Sequence, residues 1–316
     1  MRRIRKLGKI YFVNGFLEAG KTSFIQDLID ETYFKIKGLT LIVACEEGNT
    51  EYDDYLLEKS GCIVRYIEEE EDFLSKIKEY EECLKPERII VEFNGMWNRK
   101  DFEMPWDPME ITEIAIIDAR TFELYAANMK SLLSEQVRRA YMAVLNNCDG
   151  FEEKLPYFRR NLKAVNTGLN IVFKDNDGDD INIRFEDDLP YDLSAEVVDV
   201  DHDAFSVFYL DSLENLDRYL GKTIRFTAKV IKPRGKTRES FLAGRYAMTC
   251  CENDLSLFGI ICDYDDTDSI SADEWVTVTG VVDKEFMDRY NVEFPICKVK
   301  ELSPAPKPKR EVINVM

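Results

Sequence analysis

The sequence is poorest in histidine, with one residue, His202, in a chain of 316. A single imidazole does not support a metal site built from several histidines, nor a serine–histidine catalytic triad. Apolar runs of about twenty residues, the length that crosses a bilayer, are also lacking. The basic cluster near the N-terminus leads into a strand-like run and not into a cleavable apolar segment. We therefore expect a cytoplasmic protein.

Positive charge is also scarce: 42 Lys and Arg face 61 Asp and Glu, which gives a formal net charge of −19. Nucleic-acid binding draws its affinity from cations that neutralise phosphates, so a chain this acidic would need a concentrated basic stripe. The basic clusters are "RRIRK" at residues 2–6 and "KPKR" at residues 307–310, both at the ends. We expect no nucleic-acid partner.

Cysteine is present but irregular, with eight residues at uneven spacing. This favours free thiols or metal ligands over a disulfide framework. Cys250 and Cys251 are adjacent, so on one strand they would face opposite sides of the sheet. Asp254 and Cys262 could complete a zinc site with them if the intervening turn folds back. The alternative is that these cysteines are small hydrophobic residues of a core, with one thiol exposed.

One segment carries specific chemistry: "GFLEAGKT", residues 15–22, fills every fixed position of the phosphate-binding pattern G-x-x-x-x-G-K-[ST]. An apolar strand-like run precedes it, and apolar residues at helical spacing follow it. Gly15 and Gly20 let the backbone fold its N–H groups around phosphate oxygens. Lys21 would reach the outer phosphates, and the Thr22 hydroxyl would coordinate Mg²⁺.

Apolar runs alternate with amphipathic segments from Ile10 to Phe173, and the stretches 71–84 and 120–140 read as helices. This alternation predicts an α/β fold over residues 1–174, a P-loop NTPase parallel sheet with helices on both faces. Beyond it, residues 175–217 hold fifteen Asp and Glu against one basic residue.

We place an acidic linker or hairpin at residues 175–194, where the alternation stops. Five strand-like runs then predict a small OB-type β-barrel over residues 195–305, followed by a tail at 306–316. The five runs are residues 222–231, 245–251, 255–262, 274–282 and 294–302.

Further nucleotide-site residues follow other predicted strands. Glu92 ends one strand, where it could hold Mg²⁺ or orient a water, and Gly95 could approach a γ-phosphate through its N–H. Asn146 and Asp149 have the spacing of the guanine-reading N-K-x-D element, although Asn147 replaces its lysine. A carboxylate there pairs with guanine N1 and N2, so it selects GTP. The alternatives are a plain strand-end charge at Glu92 and an Asn-rich turn.

The segments "GFLEAGKTS", "VEFNG", "IIDARTF", "VLNNCD" and "RRNLKAVNTGLNIV" resemble, in order and spacing, the CobW family of P-loop GTPases. The resemblance covers residues 8–173. It implies that Ser23 joins the P-loop in binding nucleotide, that Glu46 lies near Mg²⁺, and that a metalloprotein is the client, since relatives insert or deliver cobalt, zinc and nickel. The family's C-x-C-C metal motif is reduced here to Cys62, because Val64 and Arg65 occupy the other cysteine positions.

A second resemblance covers residues 195–303. The segments "YLGKTIRFTAKVIKP", "GRYAMTCCENDLSLFGIIC" and "EWVTVTGVV" are similar to the soluble domain of the YcgQ-type permease-associated proteins. This resemblance implies a membrane permease as a partner.

Two functions are consistent with these observations. The first is a slow GTPase that couples its nucleotide state to metal handling or transport, with Lys21, Glu92 and Gly95 acting on the phosphates. The second is a nucleotide-gated adaptor that docks on a permease with negligible hydrolysis. Steady-state phosphate release distinguishes the two.

Overall fold

A computed structural model describes residues 9–46, 48–181, 189–232, 239–248, 255–287 and 292–314. The chain separates into two compact units, Met1–Arg184 and Phe185–Met316. Within the described ranges, no helix combines the length and the apolar content that a membrane crossing requires.

The first unit contains a sheet of seven strands, all parallel to their neighbours. They are β1 (Ile10–Asn14), β2 (Thr40–Ala44), β3 (Cys62–Tyr66), β4 (Arg88–Glu92), β5 (Ile111–Asp118), β6 (Met142–Asn146) and β7 (Asn170–Phe173). The order across the sheet is β3-β2-β4-β1-β5-β6-β7. This confirms the predicted parallel α/β fold. The edge strand β3 was not predicted.

Six α-helices connect these strands. They are α1 (Lys21–Asp30), α2 (Asp54–Ser60), α3 (Phe73–Leu84), α4 (Phe122–Asn128), α5 (Lys130–Arg138) and α6 (Leu155–Val165). Alternate residues of β1 point to opposite faces of the sheet. Tyr11 and Val13 therefore join the core beneath α1, whereas Ile10 and Phe12 join the core that contains Phe73 of α3. Each face of the sheet is buried by helices.

The segment 120–140 was predicted to be one helix. It forms two helices, α4 and α5, with a break between them. The backbone at Met129 leaves the helical region, with φ −133° and ψ 35°. The side-chain amide of Asn128 donates to the carbonyl of Leu124 at 2.8 Å, so it competes for an acceptor of the helix backbone.

In its described residues, the second unit is a mixed sheet with the α-helix α7 (Phe205–Glu214). Its strands are β8 (Val197–Val200), β9 (Thr223–Ile231), β10 (Ser240–Met248), β11 (Leu255–Asp263), β12 (Trp275–Met287), β13 (Val292–Pro304) and β14 (Ile313–Asn314). The order is β14-β10-β11-β13-β12-β9-β8, and β10 also pairs with β9. Strands β9 to β13 therefore pair in a closed ring, and they overlap the five predicted runs. Residues 249–251 of the second run lie outside the described residues. Its assignment to the OB type stays a prediction.

The aromatic core around α3 provides a test of the first unit. Phe73 is fully buried and contacts Phe93, Trp97 and Phe102 edge to face, with ring centroids 5.1 to 6.0 Å apart. Phe73→Ala should lower the free energy of unfolding by about 3–5 kcal/mol, because the cavity it leaves cannot collapse fully. Urea denaturation followed by circular dichroism measures this change.

The neighbouring residue Leu74 is the matched control, since it lies on the same helix turn but is 36% exposed. Leu74→Ala should cost about 1 kcal/mol or less. Equal losses for the two variants would contradict the assignment of Phe73 to the core.

Candidate functional site

The loop at residues 15–20 is shaped by backbone contacts that exclude side chains. A Cβ at Gly15 would lie 2.3 Å from the carbonyl oxygen of Ile116 in β5. Gly20 has φ +97°, and a Cβ there would lie 2.7 Å from the amide nitrogen of Asn146. The fold therefore requires glycine at both predicted positions. At Gly15 the reason is the close approach of the Ile116 backbone, and at Gly20 it is the left-handed backbone conformation together with the contact to Asn146. The loop then opens directly into α1.

The first turn of α1 holds Lys21, Thr22 and Ser23 and carries no acidic side chain. The N-terminus of a helix is electropositive and presents unpaired N–H groups, so it favours an anion. Gly20 supplies no side-chain cap to this helix end. The predicted phosphate-binding residues thus surround a helix terminus that no protein carboxylate neutralises from within the helix.

The ammonium group of Lys21 is the most enclosed charge of the site, since the residue is 3% exposed. It donates to the backbone carbonyls of Gly15 at 2.8 Å and Phe16 at 2.9 Å, and it forms an ion pair with Glu46. Burial raises the pKa of the Glu46 carboxyl, and the charge of Lys21 opposes that rise. The structure therefore brings Glu46 to the P-loop lysine.

The Thr22 hydroxyl donates to Glu92 at 2.7 Å, and the phenol of Tyr52 donates to the other oxygen of the same carboxylate. Glu92 is 4% exposed. Burial first, and then the charge of Glu92, raises the pKa of Tyr52, so the phenol stays protonated and remains a donor. Thr22, Glu92 and Glu46 supply hard oxygen donors, which is the ligand chemistry that Mg²⁺ takes.

Gly95 lies against the P-loop itself. A Cβ there would lie 2.2 Å from the carbonyl oxygen of Gly15 and 2.8 Å from the nitrogen of Phe16. The Gly95 carbonyl accepts from the side-chain amide of Gln136 at 3.2 Å. The turn after β4 is therefore held in direct backbone contact with the loop, beside Lys21 and Thr22.

At the other end of the site, the side-chain amide of Asn146 donates to the carbonyl of Ala19 at 2.9 Å and so ties the end of β6 to the P-loop. Asn147 has φ +57° and donates to Asp118 at 3.0 Å. Asp149 is exposed, and one of its oxygens accepts from the backbone N–H of Asn176 at 3.1 Å.

A cavity of about 420 Å³ connects these elements. It is lined by the P-loop and the start of α1, together with Glu46, Glu92, Asn146 and Lys174. A volume of this size is in the usual range for small-molecule sites. Asp149 is not among its lining residues. It stands one hydrogen bond away, across Asn176, which does line the cavity.

Several residues of the site were missed from the sequence, among them Glu18, Tyr52 and Lys174. Glu18 and Lys174 line the cavity, and Tyr52 bonds Glu92. Lys174 directly follows β7, so the strand-end signal that selected Glu92 could have found it as well. Tyr52 lies in a loop with no recognisable pattern, and its role depends on the adjacency of β2 and β4.

The cysteines give no second centre in the described part of the chain. Cys62 is buried at the start of β3, and burial raises the pKa of its thiol. Cys250 and Cys251, the predicted zinc ligands, lie outside the described residues. Among the residues that are described, no group of three or more His, Cys, Asp or Glu could hold a metal ion.

Comparison with known proteins matches two parts of the chain to two different family models. Residues 177–313 match the DUF1980 C-terminal domain. UPF0703 protein YcgQ of Bacillus subtilis (strain 168) is 23% identical over 104 residues, which are 32% of this chain and 36% of that protein. The chain thus spans about a third of the length of this curated relative.

Solved structures give two further similarities. Zn(II)-bound YjiA GTPase from E. coli is 17% identical with a TM-score of 0.37, over 86% of this chain and 93% of that chain. HypB from Helicobacter pylori, in complex with nickel, is 13% identical with a TM-score of 0.32, over 56% of this chain and 82% of that chain. Residues 9–173, more than half of the chain, match the nucleotide-binding domain of CobW, HypB and UreG. The chain therefore belongs to the CobW/HypB/UreG family.

Proposed function

We propose that the chain binds GTP with Mg²⁺, hydrolyses it slowly, and couples its nucleotide state to the handling of a metal ion. The observation that carries this proposal is the P-loop cavity. A buried lysine, a threonine hydroxyl and a helix N-terminus free of acidic side chains converge on one space of nucleotide-binding size. Membership of a nucleotide-binding family supports the same conclusion.

At the phosphate end, Lys21 would exchange its pairing with Glu46 for the outer phosphates, and the loop N–H groups would hold the remaining oxygens. Thr22, with Glu92 and Glu46, would hold Mg²⁺. The bound ion neutralises charge that develops on the phosphates. Gly95 touches the loop beside Lys21, so its turn would respond to the γ-phosphate.

The surroundings of Glu92 support slow turnover. One of its oxygens accepts from Thr22 and the other from Tyr52, and a carboxylate that also holds Mg²⁺ would be a weak base toward an attacking water. No other side chain of the described cavity is held at a position that singles it out as a base. We therefore expect charge stabilisation by Lys21 and Mg²⁺ to supply most of the rate enhancement.

The metal-handling half of the proposal is supported by the family resemblance and by the acidic, cysteine-containing second unit. Cys250 and Cys251 are proposed as zinc ligands there. A permease-docking adaptor with negligible hydrolysis is the second candidate, because residues 195–303 resemble the soluble domain of the YcgQ-type permease-associated proteins. The matches to the DUF1980 C-terminal domain and to YcgQ support that resemblance. Release of phosphate at steady state separates the two candidates.

Lys21→Ala should weaken triphosphate binding and abolish turnover, because the variant loses the only ammonium group that the P-loop itself carries. Removal of such a charged contact costs about 1.5–3 kcal/mol or more, which is roughly tenfold to a hundredfold in affinity. Titration with a fluorescent GTP analogue measures the loss. Lys59→Ala is the control, since Lys59 pairs with Asp30 on the exposed surface. Unchanged affinity in Lys21→Ala would remove the P-loop from the proposal.

Asp149→Ala should erase a preference for GTP over ATP, because the carboxylate would pair with guanine N1 and N2, which adenine does not offer in that form. The preference should fall by about tenfold to a hundredfold. Competition between GTP and ATP for one site measures it, with Glu153→Ala, an exposed carboxylate nearby, as the control. If the wild-type chain binds ATP as tightly as GTP, the guanine assignment is wrong.

The double change Cys250→Ser and Cys251→Ser should remove stoichiometric zinc from the purified full-length chain. Thiolates are the ligands that Zn²⁺ prefers, and metal binding releases their protons. Cys62→Ser should leave the zinc content unchanged, because burial keeps the Cys62 thiol protonated. Measurement of the zinc content of the two purified variants shows which cysteines bind the metal. Loss of zinc with Cys62 alone would assign metal binding to the first unit.

A further inference from the structure

Glu18 occupies an unusual position in the P-loop. Its φ is +60°, in the left-handed region that glycine adopts freely and that residues with a Cβ avoid. A conformation of this kind persists only where other contacts compensate for it. The side chain of Glu18 makes such a contact with the loop at residues 48–53.

The contact is a hydrogen bond from the backbone N–H of Asn49 to the Glu18 carboxylate, 2.9 Å long. Gly48 lies close enough that a Cβ there would sit 3.3 Å from the same carboxylate oxygen. Glu18, Gly48 and Thr50 all line the nucleotide cavity. The carboxylate thus fixes one wall of the cavity to the phosphate-binding loop.

The 48–53 loop has three further attachments to the site. Tyr52 donates to Glu92, and Gln26 in α1 accepts from the backbone N–H of Asp53 at 2.8 Å and donates to the carbonyl of Glu51 at 3.4 Å. The contact with Glu18 differs from these three, because it places a negative charge within the loop that binds phosphate. A triphosphate entering the cavity would meet that charge.

We propose that Glu18 is a positioning residue that holds the 48–53 loop against the phosphate cradle and releases it when a triphosphate binds. This inference rests on the proposed function and concerns the same site. Phosphate oxygens and the exposed Glu18 carboxylate are both negative and repel each other at short range, which weakens the bond to Asn49. Loss of that bond frees the start of the loop, so that nucleotide entry and loop movement are coupled.

Two variants of Glu18 in the full-length chain separate its hydrogen bond from its charge. Glu18→Gly removes both and suits the left-handed backbone, so the fold is retained. Glu18→Gln removes the charge but keeps an oxygen that can accept from Asn49. Glu51→Gln, an exposed residue of the same loop, is the control for loss of one negative charge.

Amide hydrogen exchange at Asn49 and the association rate of a fluorescent GTP analogue are the two measurements. In Glu18→Gly the Asn49 amide should exchange about tenfold faster without nucleotide, and the analogue should associate about tenfold faster. Glu18→Gln should accelerate association while Asn49 stays largely protected. Glu51→Gln should change neither quantity.

If the wild-type chain binds the analogue and Glu18→Gly alters neither Asn49 exchange nor association, the inference is overturned. If exchange accelerates but association does not, Glu18 holds the loop without gating the nucleotide, and the release step is overturned. A wild-type chain that binds no nucleotide would overturn the proposed function and the release step together, while Asn49 exchange would still show whether Glu18 holds the loop.

Discussion

The candidate site depends on direct backbone contact among the central strands of the first sheet. Strands β1, β4 and β5 are adjacent, and the chain leaves each of them at the same edge. Gly15 touches the backbone of Ile116, and Gly95 touches the backbone of Gly15 and Phe16. Because no Cβ fits at either glycine, the phosphate loop has one position relative to the sheet. All other contacts of the site are built on that placement.

The second requirement is that every buried charge of the site has a partner, and residues next to the P-loop supply these partners. Lys21 is buried between two carbonyl groups and the carboxylate of Glu46, and Thr22 and Tyr52 satisfy both oxygens of Glu92. Each buried charge therefore has a polar partner. Bound phosphates would replace the present partner of Lys21, and a divalent cation would replace the present partners of Glu92. Because Tyr52 of the 48–53 loop is one of those partners, ligand binding and the position of this loop are coupled.

The P-loop and its flanks could be predicted because each step uses local chemistry: an apolar strand, glycines at fixed positions, and helical spacing after Lys21. The break between α4 and α5 at Met129 could not be predicted, because it depends on the backbone conformation of Met129 and on one hydrogen bond of the Asn128 side chain. The contacts of Glu18 and Tyr52 join residues 31 and 40 positions apart in the chain. They require the strand order β2-β4-β1, which the sequence pattern does not specify.

We propose that this cavity binds a guanine triphosphate through a cation-assisted P-loop. The decisive measurement is competition of GTP and ATP against a fluorescent GDP analogue on the wild-type chain, with and without Mg²⁺. We expect GTP to displace the analogue at lower concentration than ATP, and Mg²⁺ to raise the affinity for GTP. Equal displacement by the two nucleotides, or an affinity for GTP that does not respond to Mg²⁺, would contradict it.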